Sequence, residues 1–66
     1  MKNNIRRILD EKDISIYKLA QDIGYTYANT HALVNRETLN TTPIETLVKV
    51  SEALKVEINS LYDKEV

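Results

Sequence analysis

With 66 residues the chain has room for one small domain with a modest core, and none for a second. It has no cysteine and only one histidine, which excludes disulfides and thiolate metal sites and leaves a zinc centre short of ligands. Nine basic against ten acidic residues give a net charge of -1, so the broad basic footprint usual in a nucleic-acid binder is missing. The balance is uneven: residues 1–42 carry six basic and five acidic groups, whereas residues 43–66 carry three and five. Met1-Lys2-Asn3-Asn4 leads directly into alternating charged and apolar residues, with no bilayer-length apolar run and no signal peptide. A cytoplasmic protein with no membrane partner is therefore expected, residues 1–66 forming one unit.

Ile5, Ile8 and Leu9 fall at i, i+3 and i+4, which predicts a first helix over about 4–12 that Asp13 ends. Ser15 is placed to cap a second helix over 16–23, with Leu19, Ala20 and Ile23 buried and Gly24 supplying the left-handed residue at its end. Thr26 is the next cap, starting a third helix over 27–35. That helix turns Thr30, Leu33 and Val34 inward and leaves Tyr27, Ala28, His31, Ala32 and Asn35 outside.

Between Asn35 and Thr42 the apolar period is lost and a surface loop is expected, pinned by Leu39. Thr42-Pro43-Ile44-Glu45 combines a capping box with proline at the first helical position, predicting a fourth helix over 43–54 that buries Ile44, Leu47, Val50, Ser51 and Leu54. A fifth short helix over 58–62 closes the core through Val56, Ile58 and Leu61, leaving Asp63 to Val66 as a frayed tail. No strand pattern competes, so the expected class is all-α, a compact five-helix domain.

From Ile14 to Leu61 the helix order and the anchors resemble the lambda repressor/Cro-like (XRE) helix-turn-helix family. Those anchors are Leu19-Ala20, Gly24, Thr26, Leu33, the proline-started helix with Leu47, and Ala53-Leu54-Lys55-Val56 ahead of Leu61. The chain departs from the family pattern at three places. Ile16 stands where the family usually has a glutamine that bonds a DNA phosphate, so that clamp passes to Ser15, Tyr17 or a backbone amide. Leu9 and Val34 stand where family members often join an arginine to a glutamate. The double change is physically coherent, because losing one partner of a buried ion pair strands a charge, while replacing both with hydrophobes can be neutral or stabilising. Thr30 replaces a branched aliphatic residue, and its hydroxyl is expected to bond a carbonyl one turn back.

The resemblance implies that the third helix is a recognition helix laid in the major groove of double-stranded DNA. Its base-reading candidates are Tyr27, Ala28, Asn29, His31 and Ala32. Asn29 can pair with adenine, or else bond locally at the helix start; Ala28 or Ala32 can meet a thymine methyl. Phosphate contacts are expected at the starts of helices two and four and around them: Ser15, Tyr17, Lys18, Thr26, Asn35, Arg36, Thr38, Thr41 and Thr42. Arg36 is the one basic residue in the loop after the third helix and the main charged candidate. An exposed lysine such as Lys18 is more often simply solvated, and Tyr17 and Tyr25 can instead be ring packing, the reading favoured for Tyr25.

His31 invites a catalytic reading, but nothing in the sequence places a nucleophile and an orienting acid beside it, and a domain this small offers little room for a pocket. No catalytic residue, metal, cofactor or small-molecule ligand is expected. So few cations imply a shallow salt dependence, about two to four counterions per subunit. A homodimer, formed in solution or only on DNA, would compensate by spacing two recognition helices about 34 Å apart. Leu61, Tyr62 and Val66 are candidates for its surface, or else close the core. The function expected is a bacterial or phage repressor on a palindromic operator. The alternative is a protein-interaction module, antitoxin-like, that kept the fold without strong DNA binding.

Overall fold

The computed structural model describes residues 2–63. In chain order it contains strand β1 (Lys2–Asn3), helices α1 (Ile5–Lys12), α2 (Ile16–Ile23), α3 (Tyr27–Val34) and α4 (Ile44–Leu54), a 3-10 helix (Ile58–Leu61) and strand β2 (Tyr62–Asp63).

Local chemistry accounts for the three helix junctions around α2 and α3. The Ser15 hydroxyl accepts from the Lys18 amide at 3.0 Å and the Thr26 hydroxyl from the Asn29 amide at 3.1 Å, so both helices start on a side-chain cap. Each such cap contributes about 1 kcal/mol. Gly24 ends α2 at φ 75°, and its N–H returns to the Ala20 carbonyl. A Cβ there would meet nothing within 4 Å, so the cost of Gly24→Ala lies in the backbone alone. We expect it to lower stability by about 1 kcal/mol, read from urea denaturation. Asp13 and Lys55 end α1 and α4 in the same left-handed conformation at φ 56° and 57°.

The buried faces meet in one cluster: Ile5, Ile8 and Leu9 from α1, Leu19 and Ile23 from α2, Leu33 and Val34 from α3, Leu47, Val50 and Leu54 from α4. Leu39 and Leu61 complete it from outside the α-helices, both fully buried. Leu9 and Val34 lie in this cluster, apolar on both sides as expected. Thr30 is fully buried and its hydroxyl donates to the Thr26 carbonyl at 2.9 Å, the bond anticipated for it.

Several expectations are corrected. Among the described residues there are four α-helices, not five: Ile58–Leu61 is a four-residue 3-10 helix, and Tyr62 leaves it extended at φ -147°, ψ 155°. It leaves that way because a partner strand is waiting. β1 and β2 pair antiparallel, Lys2 opposite Asp63 and Asn3 opposite Tyr62, so strands exist where none was expected and Asp63 is not a frayed end. Residues 64–66, the rest of that expected tail, lie outside the described residues. Asn4 precedes α1 rather than joining it, and Asn35 caps α3 rather than extending it.

The start of α4 also differs. Pro43 is the cap residue, extended at ψ 143°, so the first helical residue is Ile44, and no side chain caps the helix. The register then points Ile44 outward, 67% exposed, while Thr46 is buried in its place. Pro43 has a helical φ of -59° but an extended ψ of 143°, so the helix begins one residue later than expected.

Candidate nucleic-acid interface

The buried side of α3 includes a threonine and its exposed side two alanines and a tyrosine, so hydropathy alone does not orient this helix. Packing does: Leu33 and Val34 enter the core and Thr30 follows them one turn earlier. Tyr27, Ala28, Asn29, His31 and Ala32 are all exposed, with Tyr27 at 52%. The Tyr27 and His31 rings lie one turn apart, centroids 5.9 Å and planes 34° apart, forming one aromatic edge. Only the backbone amide of Asn29 is used by the Thr26 cap; its carboxamide makes no hydrogen bond among the described residues. The local role left open for that side chain is therefore not taken up.

Asn29 and Ala32 stand on the flank of α3 that lines a cleft against the start of α4, together with Tyr25, Arg36, Thr42 and Thr46. Arg36 donates across the mouth of the loop to the Thr42 hydroxyl at 3.3 Å. Two base-reading candidates and two phosphate candidates are thereby brought to one place. The Tyr25 ring packs half-buried, as favoured for it, and adds a hydroxyl contact of 2.7 Å to Thr46. The Lys49 ammonium sits 5.5 Å from the centre of the same ring, within cation–π range.

The remaining candidates have mixed positions. Tyr17 is 61% exposed at the start of α2, beside Ser15, whose hydroxyl already accepts the capping amide. Thr26 likewise accepts a capping amide, and in both residues the hydroxyl hydrogen is left to donate. Lys18 pairs with Asp22 at 2.9 Å and lines a different cleft, with Lys12, Ile14 and Lys55. Asn35 has both polar ends engaged: its amide donates to the His31 carbonyl at 2.9 Å and its oxygen accepts from Arg6 at 3.0 Å. Thr38 is half-buried in a bridge to Lys2, and Thr41 is exposed.

Two residues with a bearing on this surface were missed from the sequence, Asn3 and Arg6. The Asn3 amide donates to the carbonyls of Leu33 and Arg36, both at 2.9 Å, and of Val34 at 3.3 Å. Arg6 reaches the end of α3 from α1. No local pattern announces either contact, since each spans about thirty residues of chain.

Leu61 is fully buried and closes the core, so it is not available to a dimer surface; Tyr62 is half-buried in β2, and Val66 lies outside the described residues. No described helix is long and apolar enough to cross a membrane. Among the described residues no group of three or more histidine or carboxylate side chains is placed to hold a metal ion.

Among curated proteins nothing matches the chain. A family model for the Cro/C1-type HTH DNA-binding domain matches residues 4–64. That match takes in α1 through β2, including the turn whose two caps and left-handed glycine were found in place. The chain belongs to the Cro/C1-type helix-turn-helix DNA-binding domain family.

Proposed function

We propose that this protein is a sequence-specific transcriptional regulator, a repressor that occupies a palindromic operator as a dimer and acts by occupancy rather than by chemistry. The observation that carries this reading is the exposed side of α3, where Tyr27, Ala28, His31, Ala32 and the unengaged Asn29 carboxamide stand free of the core. α3 contains no arginine or lysine, the usual readers of guanine. Its chemistry suits adenine through Asn29 and thymine methyls through Ala28 and Ala32, each good base contact worth about 1–3 kcal/mol of discrimination. Arg36 and Thr42, with the unbonded amides at the start of α4, supply the phosphate grip beside it. Two copies on DNA compensate for so few cations.

Selection from a random-sequence duplex pool at low salt tests the proposal, with an enriched palindrome as the expected result. Recovery of no motif would refute it. On the selected operator, Arg36→Ala is expected to weaken all sequences alike and to lower the slope of log K against log salt by about one. Tyr27→Ala or Asn29→Ala is expected instead to change the preferred bases. An unchanged motif in both would remove α3's outer face from base reading.

A second reading, a protein-interaction module that kept the fold, draws on Ile44 and Val48, exposed at 67% and 41% one turn apart on α4. It predicts no DNA binding even at low salt and a change in size only when a protein partner is added.

A further inference from the structure

β1 sits directly behind the loop that carries Arg36. Its outer edge pairs with β2; on its other side Lys2 bridges Thr38, and the Asn3 amide donates to the Glu37 carbonyl at 3.1 Å. The Asn3 side chain does more than either backbone contact. Its carboxamide oxygen accepts the Ile5 amide at 2.9 Å, satisfying the first free donor of α1. Its nitrogen serves two carbonyls at the end of α3 and the carbonyl of Arg36 itself.

The main chain of Arg36 is therefore held on both sides. Its N–H donates to the Leu33 carbonyl at 3.4 Å, and its carbonyl receives Asn3 at 2.9 Å. Backbone bonds to Glu37 and Thr38 and the buried Leu39 hold its neighbours, but the Asn3 side chain is what fixes the Arg36 carbonyl, so without it part of the order at Arg36 would have to be gained at the moment of binding, at a cost in affinity. We propose that Asn3 is a positioning residue for DNA binding: it presets the backbone from which Arg36 reaches a phosphate, although it touches no DNA itself. This rests on the DNA-binding reading above.

Asn3→Asp separates positioning from helix capping. An aspartate keeps the oxygen that accepts the Ile5 amide and places a favourable negative charge at the start of α1, but it has no donor for the three carbonyls. The measurement is affinity for the selected operator over a range of salt, at a temperature where circular dichroism shows every variant folded. We expect Asn3→Asp to bind about tenfold more weakly, with the salt slope reduced by about one, as in Arg36→Ala. We expect the double variant Asn3→Asp/Arg36→Ala to bind within about twofold of Arg36→Ala alone, because one contact is lost only once.

Wild-type affinity in Asn3→Asp, or losses that multiply in the double variant, would overturn the proposal while leaving the DNA-binding reading intact. Failure of the wild-type chain to bind any DNA would overturn both. Should Asn3→Asp not fold, Asn3→Ala carries the same cycle with the same expected outcomes.

Discussion

Leu9→Arg is expected to cost about 3–5 kcal/mol, enough to leave a chain of this size largely unfolded at room temperature. Leu9 is 2% exposed within the core cluster, and among the described residues no carboxylate is buried to receive a guanidinium there. Val34, from the end of α3, is in the same cluster and equally buried. The double variant Leu9→Arg/Val34→Glu restores a charge partner and is expected to recover at least about 2 kcal/mol of that loss, without exceeding the wild type. Urea denaturation followed by helical circular dichroism checks both values. A double variant no more stable than the sum of its parts would show that the two positions do not pair.

The second large effect is expected at Leu39→Ala, about 2–5 kcal/mol by the same measurement. Leu39 is fully buried although it belongs to no helix or strand, and it is the apolar anchor of the loop between α3 and α4. Truncation leaves a cavity beneath that loop and costs the packing that holds Arg36 and Thr42 near the end of α3. A loss below about 1 kcal/mol would mean that the loop is fixed by the Asn3 and Thr38 contacts rather than by its buried leucine.

Much of the helical frame was legible because its signals are local. Ser15, Gly24 and Thr26 act on amides and carbonyls within four residues, and the structure shows each acting as the residue type dictates. The apolar spacing of α1 and α2 placed their core residues correctly for the same reason. At the start of α4 local signals misled, because the capping-box pattern of residues 42–45 and the proline were both read one position early. The error is confined to the first turn: Leu47, Val50, Ser51 and Leu54 are buried as expected, while Ile44, the first helical residue, faces solvent and Thr46 is buried instead.

The candidate site divides along the same line. Leu33 and Val34 were enough to place the inward side of α3 although its two sides differ little in hydropathy, and Thr30's backward hydrogen bond followed from its hydroxyl. That Lys18 is taken by Asp22 was available from their i, i+4 spacing. The engagement of Asn35 by Arg6, the meeting of Tyr25 with Thr46, and the anchoring of Arg36 by Asn3 were not available. Each joins residues more than twenty positions apart, where hydrogen-bonding groups have no periodic signature.

The sequence by itself determined the four α-helices, the tight glycine turn between α2 and α3, the apolar pair at Leu9 and Val34, and the nearly uncharged outer face of α3. These depend on backbone conformation and on periodicity, which act over a few residues. Only the tertiary structure decided that residues 2–3 and 62–63 meet as strands, that Ile44 is exposed, and that Asn3 ties the first strand to the loop after α3. Two-residue strands have too little pattern to be recognised alone and exist only because each supplies the other's hydrogen bonds.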